Sequence, residues 1–163
     1  DEPRGNGANG YPTAAHHTAG KADVPGVVAA TQQISVWKAR VSCEEVELAR
    51  AVVTQERPEV VVGSSFGGAV LAALVQEGHW RGPCVFLAQA GLKLGVMATF
   101  PDEVPAVFVH GLRDDVVDPA DSRSLATASR SLLVEIDDDH RLGTVLTDGH
   151  LEQALARLGV TES

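Results

Sequence analysis

Apolar residues in this chain come in short unbroken runs, separated by amphipathic or polar stretches. "GVVAATQQI" (residues 26–34), "EVVVG" (59–63), "PCVFLAQ" (83–89), "AVFVHG" (106–111) and "LLVEID" (132–137) read as strands. Their apolar positions are contiguous rather than alternating, which is the pattern of strands covered on both faces. Between them lie helical patterns. Val36 to Glu56 sets Val36, Ala39, Val41, Val46, Ala49, Val52 and Val53 on one broad face, and Pro58 ends the element. "GGAVLAALVQE" (67–77), "PADSRSLATAS" (119–129, opened by Pro119) and "LTDGHLEQALARLG" (146–159) add three more helices. The alternation predicts an α/β fold, a three-layer sandwich with a mostly parallel central sheet. Residues 1–26 are rich in Gly, Pro and Ala without a period and read as loop. We see no internal repeat or boundary, so residues 1–163 are expected to form one domain.

Composition narrows the function classes. A net charge of −9, with no Lys/Arg cluster, argues against nucleic acid and against anionic membrane surfaces. No apolar stretch approaches the roughly 18–20 residues that a membrane helix needs, so no membrane insertion is expected. An uncharged or cationic small molecule is the better partner. Two cysteines, Cys43 and Cys84, lack metal or redox spacing; Cys84 sits in a strand-like run and reads as a buried hydrophobe. Six histidines form no H-E-x-x-H or Cys/His pattern. No metal and no organic cofactor are expected. The composition suits a cytoplasmic protein, with a removed signal peptide not excluded by an opening Asp1. It does not specify self-association.

The chemistry concentrates at one seam. Gly63-Ser64-Ser65-Phe66-Gly67 fits G-x-S-x-G with Ser65 at its centre, between a strand-like triplet and a helix-like run. Such a turn forces its central residue into a strained conformation and exposes the hydroxyl, while the helix start offers amides to a developing oxyanion. The pattern alone arises by chance in roughly one chain in ten of this glycine content. Its strand–turn–helix setting is what gives it weight. A phosphate-binding turn is the competing reading, but neither G-x-G-x-x-G nor a P-loop lysine is present.

A serine nucleophile needs a base, and the base an orienting acid, in the chain order Ser, Asp or Glu, His. After "AVFVHG" comes Asp114, with Asp115 as its competitor; after "LLVEIDDD" comes His140. Each follows the C-terminal end of its own strand, where open parallel sheets carry their sites. Taken singly, Asp114 reads as a solvated loop carboxylate and His140 as a loop histidine. The three in this order are harder to assign to chance. His16 and His17 precede the serine, His79 reads as surface, His110 as packing or bonding a carbonyl, and His150 is the fallback base. Asp137, Asp138 and Asp139 are expected to favour the His140 cation.

"VVVGSSFGGAV", "VFVHGLRDDVVDPADSRSLA" and "DDDHRL" together resemble the elbow, acid segment and histidine loop of the α/β-hydrolase superfamily, in a minimal form without a lid domain. The resemblance is to compact hydrolases with HGANG-x-PT and VVGSS-x-GGAV motifs, and runs from about Gly5 to near the C-terminus. It implies Ser65 as nucleophile, Asp114 as acid and His140 as base, with oxyanion amides on Phe66 and Ala8. At the start this chain has "DEPRG" and Asn6 where such proteins have an apolar strand and a His. The implied activity is hydrolysis of small carboxylic esters through an acyl-enzyme. Thioester, lactone or amide hydrolysis, and a non-catalytic binding module on the same fold, are the alternatives. Asn9, Leu92, Met97 and Phe100, together with Leu94 and Val96, are expected to line a shallow apolar acyl site, with core packing as the equal alternative for the last five.

Overall fold

The computed structural model describes residues 27–30 as backbone, and residues 40–97 and 99–160 in full. Five parallel strands, β1 (Val27–Ala30), β2 (Val60–Ser64), β3 (Cys84–Leu87), β4 (Ala106–Gly111) and β5 (Leu132–Ile136), form one sheet in the order β1-β2-β3-β4-β5. The helices are α1 (Cys43–Glu56), α2 (Phe66–Gln76), α3 (Pro119–Ser129), α4 (Thr144–Thr147) and α5 (His150–Arg157).

Side-chain alternation along the strands divides the core in two. Val61, Cys84, Phe86, Ala106 and Phe108 face Val46 and Val53 of α1, the body of α2, and Leu125 and Ala126 of α3. Val60, Val62, Val85, Leu87, Val107, Val109 and Ile136 face Val145 of α4 and Leu151, Ala154 and Leu155 of α5. The placement follows from topology. Strands added in sequence order by crossovers of one hand put every crossover on the same face, so α1, α2 and α3 share a layer. Among the described residues, it is the segment after β5 that covers the other face. The Phe86 and Phe108 rings stack 4.9 Å apart, with Phe100 set edge-on to both.

Several expectations need revision. The first helix begins at Cys43, not Val36: Ser42 accepts from the Glu45 amide while Glu45 returns to the Ser42 backbone, a capping box that starts a helix regardless of upstream periodicity. Residues 36–39 lie outside the described residues. The last helical stretch is two elements, because Gly149 takes φ 72° between α4 and α5. The connection from Ala88 to Pro105 carries turns and no helix. Of the two readings left open for Met97 and Phe100, acyl-site lining and core packing, the second holds: they are 1% and 3% exposed and belong to the core under α2. Leu92 and Val96 are half-buried against the same core.

Candidate active site

Ser65 sits between β2 and α2 at φ 53°, ψ −115°, a conformation that costs a non-glycine residue about 1–3 kcal/mol. Four backbone hydrogen bonds hold it there. The Ser65 amide donates to the Leu87 carbonyl at 2.8 Å, and the Ser65 carbonyl accepts from Gly68 (3.0 Å), Ala90 (3.1 Å) and Ala69 (3.3 Å). The turn is tight enough that a Cβ on Gly63 would lie 2.7 Å from the Gly67 carbonyl oxygen and 2.8 Å from the Gly68 Cα. Phe66 opens α2, so its amide has no partner within the helix.

The acid comes from the turn after β4. Asp114 is buried; its Oδ1 accepts from the Val116 (2.9 Å) and Val117 (2.8 Å) amides. Burial by itself would push this carboxyl up. The Val117 amide, the His140 ring and the Val116 amide outweigh it and hold Asp114 below its ordinary value, ionised at neutral pH.

The histidine loop follows β5 and is built by its aspartates. Asp138 accepts from the Asp139 amide at 2.8 Å and from the Thr144 amide and hydroxyl at 2.8 and 2.9 Å. Asp139 accepts from the Arg141 amide at 2.8 Å, and Asp137 pairs with Arg113. Asp138 and Asp139 are thus engaged within the loop and Asp137 with Arg113 of the turn after β4, and the carboxylate that reaches the His140 ring is that of Asp114.

These segments bring three side chains together. The Ser65 hydroxyl lies 2.8 Å from His140 Nε2, and His140 Nδ1 lies 2.7 Å from Asp114 Oδ2. A carboxylate can only accept, so Nδ1 carries the hydrogen and Nε2 is left to accept from Ser65. The imidazole is one-fifth exposed, at 19%, while the Asp114 carboxylate is fully covered. Solvent therefore reaches the imidazole but not the carboxylate.

The other candidates lie elsewhere. Asp115 is exposed; Asp118 caps α3 through the Ala120 amide at 2.9 Å. His79 pairs with Glu77 at the surface. His150 begins α5, and the serine hydroxyl bonds His140 instead. Ala8 and Asn9 lie outside the described residues. Cys43 is exposed and Cys84 buried, both as free thiols, and burial pushes the Cys84 thiol up to about 12. No group of His, Cys, Asp or Glu among the described residues is arranged to hold a metal, and no helix among them is long and apolar enough to cross a membrane. One residue at the site carries more than its sequence pattern announced. His110 bonds the Val117 carbonyl, as expected, and also approaches Asp114.

The sequence matches no protein-family model and no curated protein. Its backbone is similar to that of a candidate YdeN-like hydrolase from Pectobacterium atrosepticum, with TM-score 0.60 and 20% identity over 73% of this chain and 70% of that one. It is similar to an α/β serine hydrolase without a lid from Xanthomonas campestris, with TM-score 0.56 and 21% identity over 71% of this chain and 56% of that one. The fold is that of the α/β-hydrolases. An esterase domain from Rhodothermus marinus also shares it, with TM-score 0.53 and 18% identity over 70% of this chain and 67% of that one. Within the α/β-hydrolase fold Ser65 occupies the strand-to-helix turn, and Asp114 and His140 follow the fourth and fifth strands described here.

Proposed function

We propose that this protein is a serine hydrolase that cleaves small carboxylic esters through an acyl-enzyme. One observation carries the reading: a strained serine, a one-fifth-exposed imidazole and a buried carboxylate are linked by hydrogen bonds of 2.8 and 2.7 Å in the polarity that proton transfer requires. The esterase domain and the lidless serine hydrolase among its structural neighbours support the same reading.

Ser65 Oγ attacks the ester carbonyl and its proton passes to His140 Nε2. Asp114 holds the ring through Nδ1 and stabilises the imidazolium that forms. The new oxyanion sits against the Phe66 amide at the start of α2, a contact worth about 3 kcal/mol of barrier lowering. His140 then returns the proton to the departing alkoxide as the acyl carbon–oxygen bond breaks. In the second half His140 takes a proton from water, which attacks the acyl-enzyme, and the Ser65 oxygen leaves reprotonated. Ala8 is the proposed second amide donor. Met97 and Phe100 lie in the core and do not line the acyl site; the absence of these two apolar walls favours short acyl chains.

Hydrolysis of p-nitrophenyl acetate, butyrate and palmitate, with acyl-thioesters alongside, tests the assignment. The wild type turns over acetate and butyrate faster than palmitate, and Ser65→Ala and His140→Ala lose about 10⁴-fold or more in kcat. A fluorophosphonate labels the wild type and not Ser65→Ala. Labelling without turnover would favour a binding module, and thioesters outrunning esters would favour thioester hydrolysis.

A further inference from the structure

His110 ends β4, is 0% exposed, and makes three contacts. Its Nε2 lies 3.0 Å from the Val117 carbonyl oxygen and 3.0 Å from Asp114 Oδ2. Neither an ionised carboxylate nor a carbonyl can donate, so Nε2 carries the hydrogen, which it donates to the Val117 carbonyl with Asp114 Oδ2 alongside. Nδ1, 2.7 Å from Ser122 Oγ, is then an acceptor of the serine hydroxyl. Ser122 in turn accepts from Gln89 Nε2 at 3.4 Å, and Gln89 Oε1 accepts from the Gly91 amide at 2.6 Å. Gln89 and Ser122 are 0% and 1% exposed. Every donor and acceptor in this buried chain has a place, and that pattern fixes the His110 tautomer.

Asp114 Oδ2 is the oxygen that receives His140 Nδ1. The same atom lies 3.0 Å from His110 Nε2, while Oδ1 is held by the Val116 and Val117 amides. His110 thus reaches the carboxylate through the turn: its N–H holds the Val117 carbonyl, and the Val117 amide holds Oδ1. Outside the chain, the Lys93 ammonium donates to the Val116 carbonyl, tying the 88–105 connection to the acid turn a second time. The other charged groups facing the cluster are Asp118 and Asp121 of α3 and Lys93 itself.

We infer that His110 is a positioning residue: its Nε2–H anchors the Val117 carbonyl of the turn whose amides hold Asp114 Oδ1, and so sets the carboxylate that orients His140, with Ser122 and Gln89 locking its tautomer. The inference rests on the serine-hydrolase reading for its kinetic consequence, and on the contacts alone for its spectroscopic one. Glutamine can present an N–H at the Nε2 position, whereas leucine cannot.

The full-length protein and its His110→Gln, His110→Leu and Ser122→Ala variants are compared with p-nitrophenyl acetate and by proton NMR of the His140 Nδ1–H hydrogen. His110→Leu lowers kcat roughly 10- to 100-fold with KM within about twofold, and His110→Gln recovers kcat to within about threefold of wild type. Ser122→Ala, which removes little volume, lowers kcat in the same sense by a smaller factor, and so keeps the test alive if leucine prevents folding. The Nδ1–H resonance leaves its wild-type position in His110→Leu and keeps it in His110→Gln. Equal losses in Gln and Leu variants of equal thermal stability, or a resonance that stays put in all of them, would reduce His110 to packing. A wild type that neither hydrolyses the ester nor reacts with a fluorophosphonate would defeat the hydrolase reading, and the resonance would still decide the role of His110.

Discussion

Gly111 and Asp138 meet backbone to backbone: a Cβ on Gly111 would lie 2.5 Å from the Asp138 carbonyl oxygen and 2.6 Å from that of Asp139. The contact lets the histidine loop lie directly on the end of β4, where the Arg113 amide donates to that same Asp138 oxygen at 2.9 Å. His140 is two residues on. Its reach to both Ser65 and Asp114 therefore depends on a side chain being missing at position 111. Gly111→Ala pushes the loop away, since the obstructing atoms are backbone and cannot rotate aside. We expect a stability loss of about 1–3 kcal/mol in urea unfolding and a fall in ester kcat of roughly 100-fold. An alanine variant with wild-type kcat would show that the loop is not seated by this contact.

Asp138 holds the loop from within. It closes a turn over the Asp139 and Thr144 amides and the Thr144 hydroxyl, three donors that lose an acceptor if the carboxylate is removed. Asp138→Ala should cost about 1–3 kcal/mol and lower kcat, because Leu142, held at φ 49° just beyond His140, is part of the same turn. Comparison with Asp137→Ala gives the control. Asp137 pairs with Arg113 at the surface, at 79% exposure, and its loss should change stability by no more than about 1 kcal/mol. Equal effects from the two variants would contradict this division of labour.

How much of this was legible in the sequence depends on the range of the interaction. β4 and α3 fall on the residues read for them, Ala106–Gly111 and Pro119–Ser129, since a doubly covered strand and a Pro-opened helix are local signals. The elbow was legible for the same reason: Gly63, Ser65 and the apolar run beyond it are neighbours in the chain. The start of α1 was misread because apolar spacing continues upstream of Ser42, while the Ser42–Glu45 box begins the helix there. Leu92, Met97 and Phe100 look alike in sequence, and only the packing of the connection under α2 separates a half-buried residue from two core ones. Least legible was His110. A histidine ending a strand has many fates, and its link to Asp114 exists only after the acid turn folds back over it.

Acid should unfold this protein in a defined window. Asp114 and Asp138 both titrate below their ordinary value of 3.8: Asp114 through the Val117 amide, His140 and the Val116 amide against its burial, Asp138 chiefly through the Thr144 amide. A carboxyl depressed in the folded state adds stability that is complete above its unfolded value and is lost as pH falls through its folded one. Thermal midpoints should therefore hold between pH 7 and about 5, then drop below about pH 4. Asp138→Asn should start lower and show a shallower drop, since one of the two groups no longer titrates. A variant as acid-sensitive as wild type would remove Asp138 from the account.

Ser65 offers a test of stored strain that is separate from chemistry. At φ 53° any Cβ is crowded, whereas glycine accepts the conformation freely. Ser65→Ala and Ser65→Gly both delete the hydroxyl and its bond to His140, so both should be inactive, and their difference isolates the Cβ. Relief of strain, about 1–3 kcal/mol, exceeds the roughly 0.5–1 kcal/mol that glycine costs through the unfolded chain. Ser65→Gly should then be more stable than Ser65→Ala by about 1 kcal/mol, a rise of roughly 2–4 °C in Tm. At Ala72, buried mid-helix in α2 without strain, the same Ala-to-Gly change should go the other way and lower Tm. If glycine at position 65 proved no more stable than alanine, the elbow would hold its serine without strain, and exposure of the hydroxyl would have to come from the four backbone bonds alone.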